Sequence, residues 1–530
     1  MLTFLIIIPV LIAVLLFVLS TNRAAKILAI VFQSILFVAS VYIVIATREA
    51  DIVTFVGSYD DVLGIILRVN SLSAVFVLLT TFIFLAVSVY SYSYTEKRDT
   101  RTFWFLMFLL EASFIGLFLA GDLFNIFVLV EVSTLVTVIL TMYDRSKRNI
   151  FHGKVFLMAN VVVAQFFLIG LGYIYRLTGA LDMERVTEAL GLIDGSNLAL
   201  PYVLIMTTVA FKCTLIPFFS WTPKARIYPN APTVVAAILS GLQAKTALYL
   251  FICFQDMFQN IASQEFFLVI GIITGLFGAV MAICQSDIKM ILAYHTVSQV
   301  GLIIIGISMG SLYSYAGGLY HIVSHAMFKT TLFLSTGIVI HSYGTSDVYK
   351  IRGVMKRMPV VGVATAAAVL GITGAPFFIG SISKYFIAYD APPLLNIVTI
   401  VLSLGTIISF VKFSSIFFGH SELVGDIPKA EKCRIIPVFT MGAICLAGGL
   451  FGTQFIYHLF RFQVNISIAG YAQKSAIFVI SAAAGYLIYQ HIVKGNAVLK
   501  RLGAVNFSFK SVCASLGVFF AVLLVFIGFF

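Results

Sequence analysis

Seven ionisable side chains lie inside stretches that are otherwise apolar: Glu111, Glu131, Lys212, Lys245, Lys329, Lys384 and Lys412. A charged group at the centre of a bilayer costs ~2.5–3.5 kcal/mol on insertion scales, so a membrane chain keeps such groups where they pair, line a wet path, or both. The chemistry open to such a set is proton or ion transfer. Glu131 falls in GDLFNIFVLVEVSTL, about nine residues into its apolar run and so near the midplane at ~1.5 Å per residue. Its natural partner is Lys212, in AFKCTLIPFFSW. Pairing lowers the cost of charging both groups, and separation strands the ammonium in a low dielectric, so moving one carboxylate captures or expels a proton. The alternative is a static ion pair.

Lys245, in SGLQAKTALY, is too deep to snorkel and suits a relay. His321, His325 and Lys329 recur at i, i+4 and i+8 and stripe one helix face. Histidine titrates near neutrality and passes protons between neighbours. An H-x-x-x-H pair also binds zinc, but no nearby carboxylate or thiol completes a site, so no metal is expected. Polar glue between helices is the plain alternative. Lys384, in GSISKYF, reads as the terminal ionisable group on an outward path, and Glu111 as a second carboxylate in the entry half or a helix–helix hydrogen-bonding group. Lys412, about six residues from the end of its run, is expected to snorkel to the cytoplasmic surface. Asp122, at a helix start, is expected to cap it, and His295 receives no role. Ser133, Thr134, Thr214, Ser220, Gln243, Thr246, Ser298, Gln299 and Ser324 either support water chains or satisfy backbone near helix breaks.

Those residues must be held by membrane helices. The chain is 61% hydrophobic and 11% charged, against about 25% charged in soluble domains. Repeated apolar runs of ~20 residues fit a ~30 Å hydrocarbon layer, and the alternating segments of a barrel are missing. The expected architecture is an all-α polytopic membrane protein with sixteen spans, at 2–20, 27–46, 69–92, 102–120, 122–143, 153–176, 199–219, 229–254, 265–285, 291–309, 312–341, 360–388, 394–418, 435–457, 475–493 and 511–530. No linker has room for a nucleotide-binding or redox domain. The six cysteines form no C-x-x-C pair, so no iron–sulfur or zinc cofactor is expected. The apolar N-terminus lacks a basic leader and a cleavage site and reads as a first span.

Lysine and arginine outside the spans divide 23 to 6 between alternate loops, which fixes the richer side as cytoplasmic and both termini outside, in a cell inner membrane. The same distribution argues against nucleic acid as the partner of the +12 net charge. Pro217-Phe218-Phe219 and Pro376-Phe377-Phe378 interrupt the seventh and twelfth spans. Two broken helices five spans apart run in opposite directions, the mark of an inverted repeat with its working groups near the breaks. The expected division is 1–101 (spans 1–3), 102–254 and 265–418 (the two inverted halves, spans 4–8 and 9–13) and 435–530 (spans 14–16).

From about residue 65 to 420 the chain resembles the proton-translocating, antiporter-like subunits shared by respiratory complex I, membrane-bound hydrogenases and Mrp-type sodium/proton antiporters. GDLFNIFVLVEV most resembles the D subunit of Mrp antiporters and its hydrogenase counterpart. FKCTLIPFFSWTPKARIYPNAPTVVAAILSGLQAKTALY resembles the family's seventh and eighth helices, SDIKMILAYHTVSQVG and HIVSHAMFKTTLFLSTG the tenth and eleventh, and GAPFFIGSISKYF the twelfth. The resemblance implies a fourteen-helix core with two inverted five-helix repeats. It implies that Glu131 and Lys212 are the coupling pair, that Lys245, His321, His325 and Lys329 form the central relay, and that Lys384 is the terminal lysine, as in the D-type subunits. Two departures stand out: His295 occupies a position where the family more often has a small hydroxyl residue, and the last two spans exceed fourteen. The resemblance implies nothing about those two spans, and docking a partner is one use open to them.

The function expected is a proton-translocating subunit, with or without sodium exchange, of a multisubunit Mrp-type antiporter or a redox-driven hydrogenase or complex I-like assembly. Other membrane subunits are its partners, and it carries no redox site or cofactor of its own. A stand-alone secondary transporter of a small solute is the alternative, which the abundance of relay residues disfavours.

Overall fold

Each expected span coincides with a helical segment. In the computed structural model, which describes residues 2–19, 23–56, 64–93, 100–143, 146–220, 231–261, 263–420, 431–504 and 509–529, these are α1 (Leu2–Leu19), α2 (Arg23–Ala46), α3 (Ser71–Ser91), α4 (Thr100–Leu119), α5 (Leu123–Thr141), α6 (Lys147–Thr178), α7 (Gly195–Lys212), α8 (Thr233–Met257), α9 (Gln264–Cys284), α10 (Ile288–Ser308), α11 (Leu312–Tyr343), α12 in two halves (Pro359–Thr373 and Ile379–Ile387), α13 (Pro393–Ser414), α14 (Lys432–Leu450), α15 (Ile468–Val493) and α16 (Phe509–Phe529). Twelve of the described helices are long and apolar enough to cross a membrane as single uninterrupted pieces. Lys97, Arg98, Arg145, Lys224, Arg226 and Lys429 of the basic side, and Asn230 of the NAPT motif, lie outside the described residues.

Among the described residues one β-hairpin interrupts the helices. Ile52–Val56 (β1) and Ile65–Val69 (β2) pair antiparallel between α2 and α3. The Ile66 carbonyl accepts the Gly121 N–H at 2.8 Å, and Arg68 reaches Glu184 and Asp182, so the hairpin braces the turn that begins α5.

That turn recurs. Asp122 caps α5 by accepting the Asn125 N–H at 2.7 Å, as expected, and Asp287 caps α10 by accepting the Met290 N–H at 3.0 Å. α6 and α11 each end on a left-handed glycine, Gly179 (φ +68°) and Gly344 (φ +69°), where a side chain would be strained. The strand-like residue that follows each pairs with the aspartate turn. Leu123 and Met183 donate to Leu181 and Gly121 at 3.0 and 2.9 Å, and Ile288 and Val348 donate to Ser346 and Ser286, both at 2.9 Å. One interval of 165 residues relates Asp122 to Asp287, Gly179 to Gly344 and Asp182 to Asp347. Five membrane helices separate the two starts, so the copies face opposite ways, and the inverted repeat is built on these turns as well as on the broken helices.

α8, α10 and α11 are buried along almost their whole length and form the centre. α9 and α10 approach backbone to backbone because Gly271, Gly275 and Gly278 face Ser298 and Gly301, and a Cβ on Gly301 would meet the Gly275 backbone. α15 lies at the periphery against α13, and α16 lies against α6 and α7.

Candidate functional site

α7 stops at Lys212. Pro217 offers no N–H and its ring blocks the preceding turn, while Thr214 turns to φ +61°. Ile216 N–H is satisfied by Thr274 Oγ1 of α9 at 3.0 Å. Lys212 therefore sits at a helix C-terminus, where unpaired carbonyls favour a cation. Its Nζ lies 3.8 Å from Glu131 Oε1 and donates to Thr134 Oγ1 at 2.8 Å, so the expected partners do meet. Glu131 and Thr134 lie one turn apart on the same face of α5.

Glu111 is wholly buried on α4. Its Oε1 accepts from Gln33 Nε2 of α2 at 2.5 Å, and Gln33 also donates to the Thr81 carbonyl of α3 at 3.2 Å. Glu111 Oε2 has no partner among the described residues. None of these hydrogen bonds joins it to the Glu131–Lys212 pair.

The centre of the site depends on a local irregularity. Between Leu239 and Gln243, α8 widens into a π turn, a feature frequent at functional sites. Lys245 Nζ donates to the Ser240 carbonyl five residues back, at 2.6 Å, and also contacts His325 Nδ1. Ser240 Oγ shares a hydrogen bond with Thr296 Oγ1 of α10 at 2.8 Å, and Thr296 donates to the Leu292 carbonyl at 3.3 Å. Lys329 Nζ donates to that same Leu292 carbonyl at 2.5 Å. A polar line thus runs from His325 through Lys245 to the Ser240 carbonyl, and from the Ser240 hydroxyl through Thr296 to the Leu292 carbonyl, which also accepts from Lys329. Lys245, His325 and Lys329 are all fully buried. Among the described residues no carboxylate lies within 4.0 Å of Lys245, Lys329 or Lys384.

His321, one turn from His325 on α11, joins three helices. Its Nδ1 meets Ser383 Oγ of the second half of α12 at 2.8 Å, and its Nε2 meets Gln299 Oε1 of α10 at 3.0 Å. Lys384, next to Ser383, reaches back across its own helix break and donates to the carbonyls of Ile372 and Thr373 at 3.0 and 3.1 Å. Among the described residues no direct hydrogen bond joins Lys212 to Lys245, or Lys329 to His321. Those steps need water or side-chain movement.

Of the hydroxyl and amide residues singled out in the sequence, Thr134 and Gln299 serve charged or titratable partners. Ser133, Thr246 and Ser324 bond carbonyls of their own helices, and Ser298 bonds the Gly275 carbonyl. Ser240, Thr296, Ser383 and Gln33 are not marked in the sequence, since a neutral residue in a helix carries no sign of what crosses it. Lys412 does not snorkel. It is 1% exposed and donates to the carbonyls of Ala282, Ile283 and Gln285, closing the C-terminus of α9. His295 is buried too, with Nε2 against Ser409 Oγ and its ring 4.8 Å from Phe410.

A family model described as "NADH:quinone oxidoreductase/Mrp antiporter, TM" matches residues 120–409, a stretch that holds every candidate above except Glu111 and Lys412. The N subunit of the NADH-quinone oxidoreductase of Desulforudis audaxviator is 30% identical over 77% of this chain and 87% of its own length. The D subunit of the Na(+)/H(+) antiporter of Alkalihalophilus pseudofirmus is 26% identical over 83% of this chain and 90% of its own. Among solved structures, a chain of the membrane-bound sulfane sulfur reductase, an archaeal respiratory membrane complex, superposes with a TM-score of 0.81 at 20% identity, covering 91% of this chain and 99% of that one. A chain of the Mrp complex from a Dietzia species superposes with a TM-score of 0.78 at 22% identity, covering 92% and 99%.

Proposed function

We propose that this chain, which belongs to the NADH:quinone oxidoreductase/Mrp antiporter transmembrane family, is a proton-translocating subunit of a multisubunit membrane complex and moves protons along the buried row Glu131, Lys212, Lys245, His325, Lys329, His321 and Lys384. The observation that carries this reading is the polar line from His325 to Lys329. Its two lysines are wholly buried and bond backbone carbonyls and, for Lys245, an imidazole, with no carboxylate within 4.0 Å among the described residues. An amine without a fixed counter-charge exchanges its proton without breaking an ion pair, and such intramembrane groups mark transport paths.

The Glu131–Lys212 pair is the switch. At 3.8 Å the carboxylate is close enough to hold the ammonium and free enough to leave it, because Thr134 already takes one of the three amine protons. Proton movement among Lys245, His325 and Lys329 follows that change in charge, carried past the Ser240 and Leu292 carbonyls, which only accept hydrogen bonds, by water or side-chain movement. Lys384, facing the carbonyl ends of the first half of α12, is the terminal group of the row. Residues 102–254 and 265–418 form the two inverted halves, flanked by 1–101 and 435–530. Both termini face outside the cytoplasmic membrane, and sodium is the counter-ion if the assembly is an antiporter. Glu111, tied to α2 and α3, supports the entry half from outside the row.

The decisive experiment is Lys212→Ala in the intact assembly, with proton pumping or sodium-dependent growth as the readout. Loss of transport with normal assembly is expected. Unchanged transport would falsify the coupling-pair role.

A further inference from the structure

α15 lies beyond the residues matched to the family, yet it reaches the break in α12. At the break Phe377 takes φ +69°, a left-handed conformation that a bulky side chain avoids. Its N–H donates to Tyr471 Oη of α15 at 2.9 Å. The same oxygen lies 2.9 Å from Ser381 Oγ, and Ser381 spends its own proton on the Phe378 carbonyl at 2.7 Å, so the Tyr471 hydroxyl is the donor to Ser381. One hydroxyl from α15 thus satisfies a donor freed by the break and holds the first turn of the half-helix that bears Lys384.

A cavity of about 80 Å³ opens beside this contact, lined among others by Gly374, Ser381, Lys384, Tyr471, Lys474 and Ser475. It has room for several waters and polar groups to hold them. A second cavity, of about 340 Å³, lies beside it, lined by Tyr389, Asn396, Ser467 and Gln473 and sharing Tyr385, Ala388, Lys474 and Ile477 with the first. Lys474 Nζ donates to Asn396 Oδ1 of α13 at 2.9 Å. Lys474 stands six residues from the start of α15, and Lys384 three residues from the end of α12, so both lie toward the same membrane surface.

We infer that α15 is a wall of the proton outlet: Lys474 is the titratable station after Lys384, and Tyr471 is a positioning residue that keeps the α12 break in register with it. This rests on the reading of Lys384 as the terminal group of the row. Protons leave Lys384 through water in the smaller cavity, pass Lys474, and emerge through the larger one. α15 is then part of the transport machinery as well as a surface.

The test uses the intact assembly in vesicles, with proton transport followed by a pH-sensitive dye. Lys474→Met is expected to slow transport about tenfold, at the low end for loss of a positioned proton-transfer group. Lys474→Arg keeps the charge but cannot release a proton, so it should be as slow as Lys474→Met, whereas Lys474→His should recover. Rescue by arginine overturns the relay role. Tyr471→Phe loses both hydrogen bonds and should slow transport at least about fivefold, the factor for one of them, and wild-type rates there overturn the positioning role. Independently of transport, Ser475→Cys should react with a charged, membrane-impermeant thiosulfonate added outside, above the background of the unsubstituted assembly. Failure to react overturns the outlet. Lys212→Ala serves as the reference. If it abolishes transport while Lys474→Met runs normally, only the outlet proposal fails; if it leaves transport intact, the reading beneath it fails.

Discussion

Lys212 donates to Thr134 Oγ1 at 2.8 Å while Glu131 Oε1 waits at 3.8 Å, so a hydroxyl holds the ammonium and the carboxylate sits one step away. Thr134 sets the distance at which the pair rests. Thr134→Val keeps the shape and removes the acceptor, which leaves Glu131 as the nearest replacement. A tighter pair is slower to part, so transport should fall about ten- to a hundredfold, the range for losing a hydrogen bond to a charged group. Thr134→Ser should restore it, and Glu131→Gln should abolish it. Proton uptake by the reconstituted assembly measures all three. A Thr134→Val variant as fast as the wild type would show that the hydroxyl has no part in the switch.

Lys245 and His325 touch each other inside a fully buried line, so they should behave as one unit. Lys245→Ala and His325→Ala should each lower transport at least tenfold, and the double variant should be no worse than the poorer single. A double variant whose loss equals the product of the two single losses would place them on separate paths. Lys245→Arg should not substitute, because guanidinium does not give up its proton.

What the sequence makes legible follows from what each signal depends on. The helices are readable because twenty apolar residues specify a span locally. The buried titratable residues are readable because a charge in an apolar run stands out. Lys412 misleads, since snorkelling is decided by what packs above the amine, and that is the end of α9, more than a hundred residues away. The line through Ser240, Thr296 and Leu292 stays hidden, because it needs a π turn that puts a carbonyl five residues behind a lysine. The repeat shows in its prolines, although the tighter register lies in two short capping turns, G-D-L and S-D-I, each met by a glycine-ended helix. The β1–β2 hairpin passes for a loop, though both its strands are rich in β-branched residues.

Lys412 gives a contrast to the transport residues. It is as buried as they are, yet its three carbonyl partners all belong to the last turn of α9 and the residue beyond it. Lys412→Met keeps the stem and removes the cap. It should cost ~1.5–3 kcal/mol, the range for hydrogen bonds to a charged group, and lower the unfolding temperature of the solubilised assembly. Transport per folded complex should stay within about twofold of wild type, since no hydrogen bond among the described residues ties Lys412 to the row. Loss of transport without loss of stability would move it into the path.

The paired turns make a quantitative prediction about the two halves. Asp122 and Asp287 both cap a helix, so Asp→Ala at either should cost ~1 kcal/mol through the lost cap. The two sites differ in what else they hold. Asp287 also accepts the Ser346 hydroxyl from the turn after α11, whereas Asp122 Oδ2 is buried with no hydrogen-bond partner among the described residues. Asp287→Ala should therefore cost about one further hydrogen bond, another ~1 kcal/mol. Asparagine caps as well as aspartate, so Asp122→Asn should be close to neutral. Asp287→Asn should keep the cap at Met290 through its one amide oxygen, which leaves the NH2 facing Ser346, where the hydroxyl must turn from donor to acceptor. Thermal unfolding of the purified assembly ranks the four variants. If Asp122→Asn is as damaging as Asp122→Ala, the carboxylate's charge matters at that turn and capping alone does not account for it.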